Sequence, residues 1–365
     1  MERMKRLGFL EVHELFLETG GPLYIGGGGP LDRRHWLGRP EGLALIDEGA
    51  LGRQLLATGL LESWQGHLAA GGSAEAFLAS HPDLGPVANL IKRVLPVDGA
   101  VAVHRVHPFL RSPAGQPYVP GTTLKGALRQ VLLVYFLNEM PEVDKEGWRS
   151  RLRQAYTDGD RSAFSAGMEA LQVDILHKLH LHTAEVASSL NDLMRAFSIS
   201  DSDPLGTGDT VAVRRRLVHR EGVLNAPDIY EVLPPGTQIR FTLRIDIPLM
   251  NRGGLMLTVL NEALQLAQLM QERVFWEKIP TPDRAPVDLR DLYLYLGGGS
   301  GFVNKSLVYA LFDDAEARDL TNALLAAEPT YDPALGQAVA PYMRPTILAE
   351  GQSYDWGKCR ITIHY

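Results

Sequence analysis

The chain has 365 residues, 45% of them hydrophobic and 22% charged, which excludes a disordered polar chain and provides for a full folded core. One cysteine, Cys359, excludes a disulfide framework and a cysteine-based zinc site and fits a reducing, cytoplasmic setting. The net charge of −7 excludes a protein that coats nucleic acid by bulk charge.

Residues 7–19 read as a first strand. The following segment, 20–32, holds four consecutive glycines, Gly26 to Gly29, a run that cannot form the interior of an element and makes a loop. Leu and Ala recur at helical spacing over 42–95 and predict two or three inserted helices. Residues 100–106 read as a strand.

Pro120 then opens a helix in which Leu124, Leu128, Val131, Leu132 and Tyr135 share one face, with Thr122 or Thr123 as its cap. Lys125 and Arg129 lie one turn apart off that stripe. The longest apolar run, Val131 to Leu137, is far too short for a membrane span. Residues 145–197 read as helical.

Residues 209–219 and 238–247 read as strands, the second with Ile239, Phe241, Leu243 and Ile245 alternating with Arg240, Thr242, Arg244 and Asp246. A long helix is predicted over 255–278 and a strand over 292–296. The glycine-rich loop Gly297–Gly301 comes next, then a helix from about Asn304 and a final strand over 359–364. Each half carries strands, a long helix and a glycine-rich loop, which suggests two α+β units, 1–205 and 206–365, with helical insertions at about 42–95 and 145–195.

Several constellations bear on chemistry. Residues 121–126 lack phosphate-loop spacing, and no dinucleotide fingerprint is present, so a nucleotide cofactor is not expected. On a helix His177 and His180 would share a face without His182, and no carboxylate completes a set, so no metal is expected. Between Gly99 and Asn138 there is no Asp or Glu, yet Arg105, Arg111, Lys125 and Arg129 lie there. Arg214, Arg215, Arg216 and Arg220 form a second basic group. Both suit local RNA contact within an acidic chain. Asp32 and His35, just after the first glycine loop, are the weak candidates for acid–base work on a scissile phosphate.

The segment YVPGTTLKGALR, 118–129, resembles the signature of the RAMP proteins, the repeat-associated RNA-binding subunits of CRISPR effector complexes. PLYIGGG (22–28), MRAFSISDSDPL (194–205), LGGGSGFVNKSL (296–307) and YDWGKCRI (354–361) are similar to further family segments, in family order. Within the family they resemble the subfamily that forms the fifth subunit of the type III-A Csm complex. The resemblance implies two ferredoxin-like, RRM-related units with glycine-rich loops. It also implies a non-catalytic crRNA-binding subunit, without cofactor, that caps the crRNA 3′-end side and supports its maturation in antiviral defence.

The implied partners are crRNA, target RNA by proximity, the other Csm subunits and host nucleases that trim the 3′ end. The implied RNA contacts are Gly26, Gly27, Gly28, Thr122, Thr123, Lys125, Gly126, Arg129, Arg195, Ser198, Ser200, Arg214, Arg215, Arg216, Gly297, Gly299, Ser300, Gly301 and Lys305. Backbone contacts of this kind position RNA without reading its sequence. The alternative is a metal-independent endoribonuclease of the same superfamily, with His35 as base and Lys125 stabilising the developing charge.

Overall fold

The structure is a computed structural model that describes residues 9–97, 103–219, 222–276, 290–326, 345–347 and 353–364. It is a mixed α/β fold with largely antiparallel sheets. The first segment contains β1 (Leu10–Thr19), β2 (Trp36–Arg39), β3 (Gly42–Ile46), helices α1 (Glu48–Thr58), α2 (Leu61–Ala69) and α3 (Ala74–Ser80), β4 (Ile91–Leu95) and β5 (Val106–His107). Next come α4 (Gly121–Glu139), α5 (Glu142–Thr157), α6 (Arg161–Leu176) and β6 (Phe197–Ile199). The remainder holds β7 (Val211–His219), β8 (Gly222–Val232), β9 (Gln238–Asp246), α7 (Ile247–Arg252), α8 (Leu257–Gln271) and β10 (Tyr293–Tyr295). It ends with α9 (Val308–Leu311), α10 (Asp314–Ala326), β11 (Pro345–Ile347), β12 (Ser353–Asp355) and β13 (Lys358–His364).

The main sheet runs in the order β10-β13-β1-β9-β6, all antiparallel. The alternating patterns decide which face is covered. Leu15 and Leu17 of β1 and Ile239, Phe241, Leu243 and Ile245 of β9 are buried. They meet Leu124, Leu128 and Leu132 of α4 and Leu260 and Leu264 of α8 in one core. The other face carries charge: Arg240 pairs with Glu14 and Arg360 with Glu18.

Without the short edge strand β10, this sheet reads β1-α4-β6-β9-α8-β13 along the chain. Its spatial order is β13-β1-β9-β6, the ferredoxin-like β-α-β-β-α-β arrangement. One such unit is therefore drawn from both sides of residue 205. A second does not occur among the described residues, whose other sheets have only two or three strands. Both neighbours of β1, β9 and β13, come from residues after 205.

The insertion after the first glycine loop differs from the helices expected for 42–95. Helices α1, α2 and α3 form, but β2, β3 and β4 make an antiparallel sheet beside them. Leu37, Ala44 and Ile46 face the helices, meeting Leu51, Leu55 and Phe77. Trp36, Leu43, Leu45 and Leu95 face the other way, onto Val106, Ala212 and Ile229. The run Gly42–Ile46 is buried on both faces and so lacks the period-two pattern that marks a half-buried strand.

Other expectations need correction. The strand over 100–106 falls partly outside the described residues, and only Val106 and His107 pair, in parallel with β8. Helix α6 ends at Leu176, so His177, His180 and His182 lie on irregular backbone rather than one helix. The His177 ring donates from Nδ1 to the Val186 carbonyl at 3.0 Å, and His180 has φ +49°. The second glycine loop is followed first by a single turn at Val303–Lys305 and the four-residue α9, and the longer helix α10 begins only at Asp314.

Candidate nucleic-acid interface

Helix α4 organises the candidate site. Its first free amide, Gly121 N, donates to Asp201 Oδ1 at 2.9 Å. The Val119 amide donates to Ser202 Oγ at 3.0 Å, and the Thr242 amide donates to Ser200 Oγ at 2.9 Å. The Ser200-Asp201-Ser202 segment thus caps the helix from a strand end 80 residues away, and neither Thr122 nor Thr123 serves as the cap. Gly121 is required there because a Cβ would lie 2.3 Å from the carbonyl oxygens of Ile199 and Ser200.

A cleft of about 540 Å³ opens beside this helix start. Gly26 comes to it from the first glycine loop, Thr123 and Gly126 from α4, and Gly297 and Lys305 from the second loop. These five sequence-nominated residues, far apart in the chain, meet at one place. The two glycine loops touch directly: Gly298 N donates to the Tyr24 carbonyl at 2.8 Å. Gln130 Nε2 donates to the Ser306 carbonyl and Asn304 Nδ2 to the Ser300 carbonyl, fixing the loop to α4 and to itself. Lys305 is the one charged residue among those lining the cleft. An added side chain at Gly126 would meet nothing within 4 Å, so a ligand can approach the helix backbone there.

Lys125 and Arg129 hold protein partners. Lys125 Nζ donates to the Phe197 carbonyl at 2.8 Å, and burial pushes its pKa below the ordinary value. Arg129 pairs with Asp192, whose second oxygen accepts the Met194 amide. Lys125 and Arg129 therefore fasten α4 to the segment leading into β6, with Arg195 and Ser198 exposed beside them and Ser200 bonded to β9.

Arg214, Arg215 and Arg216 lie on β7 of the β7–β8 hairpin, whose tip is outside the described residues. The Arg215 guanidinium sits 5.0 Å from the Tyr230 ring centre and packs beside Gly299. Ser300 is buried and donates to the Gly297 carbonyl at 3.1 Å. Gly301 has φ +107°, and Thr122 is exposed. Gly27 and Gly28 belong to the exposed crest of the first loop.

A second cleft, about 570 Å³, lies on the far side of that loop and contains His35, Lys92, Arg93 and Arg111. The Asp32 carboxylate binds the Arg34 side chain and backbone, which lowers its pKa to about 2. His35 Nδ1 lies 3.0 Å from Asp32 Oδ1 and Nε2 lies 3.5 Å from Glu48. Lys125 donates to the Phe197 carbonyl and is not among the residues lining this cleft. Among the described residues no group of three His, Cys, Asp or Glu side chains is placed to hold a metal, and no helix is long and apolar enough to cross a membrane.

Sequence reasoning missed Glu231. It is fully buried and accepts from Arg93 at 2.7 Å, Arg111 at 2.5 Å, Thr210 Oγ1 at 2.7 Å and the Phe109 amide at 3.1 Å. Burial alone would raise its pKa, but the two guanidiniums and these hydrogen bonds outweigh that and hold it below the ordinary value. The absence of acidic residues around Arg111 in the sequence hinted that its partner comes from a distant element, but not from which one.

Comparison with known proteins follows the same lines. The RAMP superfamily profile matches residues 16–331. The Mycobacterium tuberculosis (strain CDC 1551 / Oshkosh) CRISPR system Cms protein Csm5 is 24% identical over 274 residues, covering 72% of this chain and 68% of the relative. The Streptococcus thermophilus Csm5 is 23% identical over 212 residues, covering 58% and 52%. Among solved structures, a chain of a Csm-crRNA-target RNA ternary complex of a type III-A CRISPR-Cas system superimposes with a TM-score of 0.66. The alignment covers 96% of this chain and all of that one at 15% identity. The crystal structure of T.onnurineus Csm5 gives 0.60 at 18% identity, covering 94% and 99%. With its motif segments gathered around one helix start and its profile match spanning most of its length, the chain belongs to the RAMP superfamily, as a Csm5-like member.

Proposed function

We propose that this chain is a non-catalytic crRNA-binding subunit of a type III-A Csm effector complex. In this reading it caps the crRNA 3′-end side and supports 3′-end maturation in antiviral defence, in the cytoplasm. The observation that carries the reading is the first cleft, where Gly26, Thr123, Gly126, Gly297 and Lys305 converge. Glycine backbone, a hydroxyl and one cation suit a sugar–phosphate chain, and contacts of that kind position RNA without reading its sequence, as a subunit accepting any spacer requires. The relatives are Csm5 proteins, and one solved neighbour comes from a complex containing crRNA and target RNA. The partners are then crRNA, nearby target RNA, the other Csm subunits and the nucleases that trim the 3′ end.

The test is retention of end-labelled crRNA by the full chain across a salt series, with magnesium or EDTA. Salt-sensitive retention with intact RNA is expected. Gly126→Glu, which places a carboxylate at the open helix face, should weaken it about tenfold. Unchanged retention by that variant overturns the assignment of this cleft. A discrete cleavage product overturns the non-catalytic reading and directs attention to Asp32 and His35.

A further inference from the structure

The first cleft leaves the four-glycine run and the second cleft unexplained. The two clefts share one wall. Residues 25–27 pair with 108–110: Leu110 N donates to the Ile25 carbonyl and Gly27 N to the Pro108 carbonyl, each at 2.9 Å. Ile25, Gly26 and Leu110 line the first cleft, whereas Gly27, Pro108 and Phe109 line the second. The top of this rib is residues 26–30, all exposed. Gly27 is required by packing, since its Cβ would lie 2.4 Å from the Phe109 carbonyl oxygen. A Cβ at Gly28 or Gly29 would meet nothing within 4 Å; Gly28 has φ +135°, which itself calls for glycine, whereas at Gly29 neither contact nor backbone conformation does. At Gly29 the crest is therefore bare of a side chain although nothing within the chain demands it.

From this geometry we infer that an RNA strand leaving the first cleft crosses the bare crest at Gly28–Gly29 and lays its backbone into the second cleft. This rests on the RNA-binding reading of the first cleft. The volume of the second, about 570 Å³, lies within the range of small-ligand sites. Lys92 is exposed and has no hydrogen bond or ion pair among the described residues. Arg93 is held from behind by Glu231, which fixes its guanidinium at the wall.

Arg111 is used up by Gly115, Thr207, Thr210 and Glu231 and positions that wall rather than meeting ligand. The acidic groups are likewise engaged: Asp47 accepts the Ala50 amide at the start of α1, and Glu48 faces His35. Lys92 and the outer edge of Arg93 remain to meet phosphate oxygens, and the turn at Ser112–Gly115 forms the opposite lip.

The test uses the full chain and a labelled uridine homopolymer of about 20 nucleotides, long enough for both clefts. The variants are Lys92→Glu, Gly29→Glu and Gly126→Glu, each confirmed folded by circular dichroism and thermal melting. Lys92→Glu and Gly29→Glu should each weaken binding about tenfold. The slope of log affinity against log salt should become shallower by about 0.7 for each phosphate that the variant no longer neutralises. Wild-type affinity in both, with Gly126→Glu weakened, overturns the crossing and leaves the first cleft standing. Unchanged binding in Gly126→Glu overturns the first cleft, and the crossing with it, whatever Lys92→Glu does. No retention of RNA by the wild-type chain overturns both.

Discussion

The two glycine-rich loops look alike in sequence and are glycine-rich for opposite reasons. In the second loop, Gly297 and Gly299 have φ of +78° and +82°, and a Cβ would lie 2.2 Å from the Tyr24 carbonyl oxygen or 2.6 Å from Trp356 Nε1. That loop is packed shut by the protein itself, with Trp356 Nε1 donating to the Gly298 carbonyl at 2.7 Å. In the first loop only Gly27 is held so closely; Gly28 and Gly29 face open space, Gly28 at a φ of +135° and Gly29 without even that constraint. A glycine run therefore carries two different messages. One is that neighbouring backbone comes too close for a side chain; the other is that nothing within the chain fills the place.

The strongest way to break this contrast is to remove what supports the open loop. Glu231 accepts the Phe109 amide, and Phe109 in turn forms the floor beneath Gly27. Glu231→Ala leaves Arg93 and Arg111 without their carboxylate and should cost about 3–5 kcal/mol in chemical denaturation. The same group sets a pH response. Its folded pKa lies below the ordinary value near 4.3, so its stabilisation is complete above that value. It is lost as the pH falls through the lower folded value. Acid titration of wild type and Glu231→Gln should show a loss of stability below about pH 4.3 in the former that the latter lacks.

Next in size, Gly297→Ala should cost about 3 kcal/mol, from its positive φ and the close Tyr24 carbonyl. Gly29→Ala should instead be neutral or stabilising by about 0.5 kcal/mol, since it restricts only the unfolded chain. Opposite signs in paired melting curves would sharpen the contrast between the loops, and equal losses would end it. Asp201→Ala, which uncaps α4, should cost about 1 kcal/mol by the same measurement. A comparably small effect sharpens the site itself. Gly126→Ala should stabilise α4 by about 0.5–1 kcal/mol while lowering RNA retention.

Much of the frame was legible in the sequence. Strand β9 alternates cleanly and is half-buried as its pattern requires, and the apolar stripe of α4 is the stripe that packs on the sheet. The motif segments led to five residues of the first cleft. What was not legible depended on distant partners. Thr122 and Thr123 are ordinary capping residues, yet Asp201 supplies the cap because the end of β6 delivers a carboxylate to the helix start. Lys125 and Arg129 looked like free cations, and only the path of residues 192–197 shows that they are engaged. Strands β2 to β4 were hidden because burial on both faces erases their periodicity.

The position of β1 also governs when the chain can finish folding. Residues 14–19 pair with 359–364, so the central strand of the main sheet has one open edge until β13 has been synthesised, more than 300 residues later. Such distant pairing makes for slow folding, and an unpaired apolar strand is prone to stick to other chains while it waits. Loss of 358–364 would therefore uncover the middle of the sheet rather than trim its border, and an intact β13 becomes a condition for soluble expression and for entering any assembly.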